Sequence, residues 1–187
     1  ANVGTSSLRR ICQLLNKRPD LKITQLRGNV DTRIRKLDEG QFDAIILATA
    51  GVKRLGHENR ITEKLSAEFS LPAIGQGAVG IECRVDDEFI NDLLKPLDHY
   101  ETSVCVRAER AFLKTLEGGC QVPIAAYAQL KDGIVHIEGL VGSLDGKTLI
   151  KESLTGRPGE AESLGTALAE KLLARGAKEI LDEVYGK

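Results

Sequence analysis

The feature that most limits how this chain can fold is a change of grammar near its middle. The first 55 residues alternate short apolar runs with amphipathic stripes, whereas the stretch after residue 100 carries two hairpin signals between longer β-patterned runs. Leu8, Ile11, Cys12, Leu14 and Leu15 make an apolar stripe at helical spacing over residues 6–17, with Ser6 or Ser7 available as N-cap. Residues 21–26 read as a short strand, and Asn29 is placed to cap a second helix whose Val30, Ile34 and Leu37 share a face before Gly40. Residues 42–48 form a continuous apolar run of the kind buried on both faces of a parallel sheet, followed by a short helix over 50–55 stopped by Gly56. Helix, strand, helix, strand and helix in that order predict parallel crossovers, hence an α/β lobe.

The segment Leu71–Gly77 holds one Pro and two Gly in seven residues and is the candidate crossing between units. Residues 79–84 read as a further strand and 87–94 as a helix. Residues 101–116 predict a long amphipathic helix with Val104, Ala108, Ala111 and Phe112 inward, stopped by Gly118-Gly119. Strand patterns over 125–130, 134–141 and 148–154 are separated by Asp132-Gly133 and Asp145-Gly146, and helical runs over 161–173 and 177–184 close the chain. This predicts a small α+β domain with a three-stranded antiparallel sheet.

No apolar run approaches the roughly 18 to 20 residues needed to cross a bilayer, so no membrane partner is expected. The sequence opens Ala-Asn-Val-Gly-Thr, with no Met at any position and no basic-then-apolar signal, which predicts a longer polypeptide upstream. Cys12, Cys83, Cys105 and Cys120 form no Cys-x-x-Cys pair, and His57, His99 and His136 supply no zinc spacing, so no metal is expected. Cysteine this sparse points to a reducing, cytoplasmic setting. The net charge of -1 hides an asymmetry, for residues 1–60 hold twelve Lys/Arg against six Asp/Glu, and eight of the twelve are Arg. Guanidinium forks match carboxylates and phosphates at two points, so an anionic ligand is one reading and a solvated surface the other. Nucleic acid is disfavoured, because Phe and Tyr total seven with no Trp to stack bases, and the cations fall in separate loops.

Glu117-Gly-Gly-Cys-Gln-Val-Pro123 places a cysteine just past a helix stop, where two glycines remove bulk around the sulfur. Cys120 is then either an attachment point or a small residue buried after the stop, and spacing alone does not choose. Cys12 and Cys105 on helical stripes and Cys83 in a strand read as core. Three loops bring cations to strand ends: Gly4-Thr-Ser-Ser-Leu-Arg-Arg10, Leu26-Arg-Gly-Asn29 with Arg33 one turn on, and Ala50-Gly-Val-Lys-Arg54. None is a Walker loop. In open α/β sheets that edge is where ligands bind.

Five strings resemble the porphobilinogen deaminases, also called hydroxymethylbilane synthases: Val3-Gly-Thr-Ser-Ser-Leu-Arg-Arg10, Leu26-Arg-Gly-Asn29, Asp43-Ala-Ile-Ile-Leu-Ala48, Leu71-Pro-Ala-Ile-Gly-Gln-Gly-Ala-Val-Gly-Ile-Glu82 and Leu116-Glu-Gly-Gly-Cys-Gln-Val-Pro-Ile124. The likeness runs end to end, and the Glu-Gly-Gly-Cys string is its most specific part. It implies a three-domain enzyme of tetrapyrrole biosynthesis with two periplasmic-binding-protein-like α/β lobes. Residues 1–71 would be most of domain 2, 72–77 a hinge, 78–95 the segment returning to domain 1, and 100–187 domain 3.

The resemblance further implies a dipyrromethane cofactor held by a thioether to Cys120. It implies carboxylate contacts from Thr5, Ser6, Ser7, Arg9, Arg10, Arg27, Arg33 and Arg54. Four porphobilinogens would add in turn with loss of ammonia, each through an azafulvene-type electrophile attacked by the terminal pyrrole. Every ring brings an acetate and a propionate, so the growing oligopyrrole gathers negative charge that Arg-rich loops could meet. The family's catalytic aspartate has no match here and belongs to an N-terminal segment that this sequence lacks. The chain alone is therefore expected to be inactive, and the full-length enzyme to be a monomer. The alternative is a two-lobed anion-binding protein without catalysis, which would have no use for the Cys120 string.

Overall fold

The two halves fold as two kinds of sheet, the first parallel and the second antiparallel. The computed structural model describes residues 1–119 and 122–186. In its first half, β1 (Asn2–Gly4) lies between β2 (Lys22–Thr24) and β3 (Ala44–Ile45), with Val3 opposite both Ile23 and Ala44. Helices α1 (Leu8–Lys17) and α2 (Val30–Asp38) make the crossovers, and α3 (Thr49–Arg54) follows β3. Asn29 caps α2 as its position predicts, its Oδ1 accepting from Thr32 N–H at 2.8 Å. Ser7 stands at the N-cap of α1 but makes no capping bond. Ser6 has another use: its hydroxyl donates to Leu26 O at 2.9 Å and accepts from Leu26 N–H at 3.1 Å, tying the end of β1 to the loop after β2.

Two strand expectations fail for one reason. The apolar run 42–48 gives only a two-residue strand, with Phe42 buried but Ala44 and Ala48 exposed. Strand β3 is a sheet edge, and among the described residues none pairs with its outer side. Residues 79–84 form no strand, and Val79 and Val85 are 90% and 98% exposed. A strand's N–H and C=O groups need a neighbouring ladder, and no described residue supplies one there. Cys83 is accordingly not a core strand residue; it is half-buried, its thiol 3.2 Å from Asn91 Oδ1. Helix α4 (Glu88–Leu94) likewise leaves Phe89 and Leu93 exposed.

The second half matches its pattern closely. Helix α5 (Tyr100–Thr115) leads to the meander β4 (Ile124–Lys131), β5 (Ile134–Gly142) and β6 (Leu149–Gly156). Asp132 and Gly133 both take positive φ, +51° and +75°, which suits a two-residue hairpin to the twist of its strands. Helices α6 (Ala161–Leu172) and α7 (Lys178–Tyr185) are joined by a π turn bent at Gly176. Val104, Ala108, Phe112 and Leu116, four residues apart, run down the buried face of α5 onto Val135, Ile137 and Leu168, while Ala111 is only partly buried. Gly165 lets α6 lie directly on α5, since a Cβ there would stand 2.0 Å from Ala108 O.

Antiparallel strands alternate faces, and this sheet is covered on both. Ile124, Ala126 and Ala128 face the helices, whereas Ala125 and Leu140 meet Cys12 and Leu71 on the other side. Helix α1 therefore packs against the antiparallel sheet.

Candidate functional site

Helix α1 begins just past the end of β1, so Arg9 and Arg10 leave the C-terminal edge of the parallel sheet in its first turn. Arg10 donates to Ile46 O at 2.9 Å, just beyond β3. Its pKa is lowered by burial first and by the charge of Arg33 second. Arg33 is held in turn through its Nε–H, which donates to Gly28 O at 2.8 Å. Backbone carbonyls thus fix two like charges near each other. Arg9 turns the other way, buried, donating to Leu71 O at 2.6 Å. Burial, and then Arg10, lower its pKa to about 10, which leaves it charged at neutral pH.

Arg27 and Arg54 are exposed at the neighbouring loops. Thr5 is buried, and its hydroxyl accepts from Ser7 N–H at 3.3 Å. The hydroxyls of Thr5 and Ser6 thus serve the backbone turn that aims α1. Among the described residues none of Arg9, Arg10, Arg27, Arg33 and Arg54 forms an ion pair, whereas Arg18, Arg35, Arg60, Arg84, Arg107 and Arg175 each do. A cavity of about 620 Å³ opens between this edge and the antiparallel sheet, with Arg9, Arg10, Gln76, Cys105, Glu109 and Tyr127 in its walls.

The linker that crosses beside this cavity is fastened at two points, neither signalled by its own sequence. Leu71 N–H donates to Gln13 Oε1 at 2.7 Å, and Gln13 Nε2 returns a bond to Leu71 O at 3.2 Å. Further on, Gly75 N–H donates to Glu109 Oε2 at 2.7 Å while Ala128 N–H donates to Glu109 Oε1 at 2.9 Å. One buried carboxylate therefore joins linker, α5 and β4, and burial raises its pKa. Its trace in the sequence is an acidic residue next to Ala108 on the apolar line of α5.

Burial pushes the Cys12 thiol up to about 12 and raises that of Cys105, with Glu109 adding to the latter. A thiol so protonated is a poor nucleophile. Cys12 is core as expected, while Cys105 is half-buried in the cavity wall. Cys120 lies outside the described residues. The chain on either side of it is anchored: Leu116 is buried before it, and Val122 and Pro123 after it, with Gly142 N–H donating to Pro123 O at 3.1 Å. Among the described residues no cluster of three or more His, Cys, Asp or Glu could hold a metal ion. None of the described helices is long and apolar enough to cross a membrane.

Residues 1–92 match a family model described as porphobilinogen deaminase, dipyromethane cofactor binding domain. Residues 103–174 match the porphobilinogen deaminase C-terminal domain. Over 184 residues the chain is 57% identical to a porphobilinogen deaminase of Carboxydothermus hydrogenoformans, a match covering 98% of this chain and 59% of that protein. The chain thus spans about three-fifths of the relative's length.

Proposed function

Because the chain belongs to the porphobilinogen deaminase family, we propose that the full protein joins four porphobilinogen molecules, with loss of ammonia, into the linear tetrapyrrole hydroxymethylbilane. Growth starts from a dipyrromethane group bound through a thioether to Cys120. The observation that carries this reading is the set of arginines at the sheet edge that, among the described residues, have no acidic partner while six others are ion-paired. Like charges held as Arg10 and Arg33 are become favourable when an anion binds between them.

The residues fit the group. A dipyrromethane carries several carboxylates, and the sheet edge offers planar two-point donors to receive them. When bound, it supplies the pyrrole carbon that is extended. Arg10 and Arg33 neutralise carboxylates nearest the sheet edge, and the exposed Arg27 and Arg54 serve rings further along the growing oligopyrrole. Ser7, whose hydroxyl caps nothing in α1, adds a neutral donor. Arg9 holds Leu71 O and contributes positive charge to the cavity wall. Thr5 and Ser6 shape the turn that presents these groups.

On this reading residues 1–71 are most of domain 2, 72–77 the hinge, 78–95 the segment returning to domain 1, and 100–187 domain 3. The exposed Val79, Ile81, Val85 and Phe89 support a covering segment from the N-terminal part of the same polypeptide. The catalytic aspartate belongs to that part, so residues 1–187 alone consume no porphobilinogen. The full-length protein is a cytoplasmic monomer. Mass spectrometry of that protein tests the attachment: two pyrrole units are expected on the peptide containing Cys120, absent in Cys120→Ser and kept in Cys12→Ser. An adduct on another cysteine, or full turnover by Cys120→Ser, overturns the reading.

A further inference from the structure

Glu117 and Asp132 are the non-glycine residues of the described chain with positive φ, both +51°. Asp132 belongs to the β4–β5 hairpin, but Glu117 follows the C-cap of α5, three residues before Cys120. An L-residue held there costs on the order of 1 kcal/mol or more, and such strain persists only where the surroundings enforce it. Glu117 N–H donates to Lys114 O at 3.1 Å and Gly118 N–H to Leu113 O at 3.0 Å, a helix-closing pattern normally given to glycine. Gly118 is wedged in place, since a Cβ there would stand 2.6 Å from Leu113 Cδ1 and 2.7 Å from Ile124 Cδ1.

This turn leaves the Glu117 carbonyl beyond the helix end, where no further helical N–H can reach it. Tyr185, 68 residues later, donates its hydroxyl to that oxygen at 3.0 Å. Tyr185 is the last residue of α7, followed by Gly186 in the left-handed conformation. Ile180 and Leu181 bury the body of that helix in the core. Helix α7 is therefore a strut, rooted in the C-terminal core and touching at its tip the turn that leads to Cys120. The return side is fixed by Val122 and Pro123.

We propose that Tyr185 is a positioning residue for the cofactor: by holding the Glu117 carbonyl it sets the direction in which the chain leaves α5 toward the attachment cysteine. This rests on Cys120 being the attachment point. A tyrosine suits the task, having a stiff apolar body and one donor at its tip.

The test is Tyr185→Phe in the full-length protein, which keeps the ring and removes the donor. Amide exchange at Gly118 is expected to rise about fivefold, the size of one ordinary hydrogen bond. Turnover falls by a similar factor with KM within about twofold, because the attached group is misaimed while porphobilinogen still binds. Adding Glu117→Gly, which accepts the positive φ without strain, restores the rate in the Tyr185→Phe background. A role of Tyr185 in stabilising α7 alone would not be repaired at residue 117. Parent-like exchange and turnover in Tyr185→Phe, or a rate loss that Glu117→Gly leaves untouched, overturns the positioning role alone. Absence of any pyrrole adduct on Cys120 in the unmutated protein overturns the attachment and the role together.

Discussion

Replacing Glu109 should separate the parts of the molecule that it joins. Its carboxylate offers one oxygen to Gly75 N–H at 2.7 Å and the other to Ala128 N–H at 2.9 Å. A glutamine side chain in its place would keep one acceptor and turn an amide toward the other N–H, losing one hydrogen bond and orphaning a buried donor. Glu109→Gln is therefore expected to cost about 2 kcal/mol in the full-length protein. Glu109→Ala orphans both donors and leaves a void, for about 4 kcal/mol. Urea unfolding followed by circular dichroism measures both. The pH dependence has a definite sign. Burial raises the folded-state pKa above the ordinary 4.5, so the folded protein binds this proton more tightly than the unfolded chain does. Its contribution to stability is then greatest below 4.5 and falls as pH rises through the folded pKa. The parent should lose stability across that window relative to Glu109→Gln, so the gap between them narrows toward neutrality. Two variants within about 0.5 kcal/mol of the parent, or a gap that widens with pH, would refute the reasoning.

Gly165→Ala should cost about 2 kcal/mol despite a helix-propensity gain of about 1 kcal/mol, because its Cβ would meet Ala108 O at 2.0 Å. Gly159→Ala, with nothing within 4 Å, is the control, and equal unfolding midpoints would refute close α5–α6 contact as the cause. Arg10→Leu or Arg33→Leu should lower turnover of the full-length enzyme about 10- to 100-fold, the equivalent of one charge-assisted bond, with Lys recovering only part. Arg175→Leu loses its pairing with Glu152 on β6 and leaves turnover unchanged; similar effects at all three positions would contradict the carboxylate role.

Local pattern was enough wherever an element satisfies itself. Asn29 caps α2 within its own turn, the Asp132-Gly133 pair bends its own hairpin, and Val104, Ala108 and Phe112 declare the buried side of α5 by their spacing. The charge of Arg10 and Arg33 was equally legible, because loops after parallel strands converge on one edge whatever the details of packing. The strings at residues 3–10 and 116–124 carried the family likeness. Residues 42–48 and 79–84 show the limit, for apolar character marks strand-forming residues but a ladder needs a second strand. The same limit hid Glu109, Gln13 and Tyr185. Each bonds a backbone group 19 to 68 residues away, and no spacing rule along the chain encodes such a meeting. The amino-acid sequence determined the helices, the hairpin, the antiparallel domain and the cationic edge, because those follow from neighbours along the chain. Tertiary structure alone decided which polar groups close the linker and brace the turn before Cys120, because a backbone N–H or C=O displaced from regular structure takes whatever partner the packed fold brings within reach.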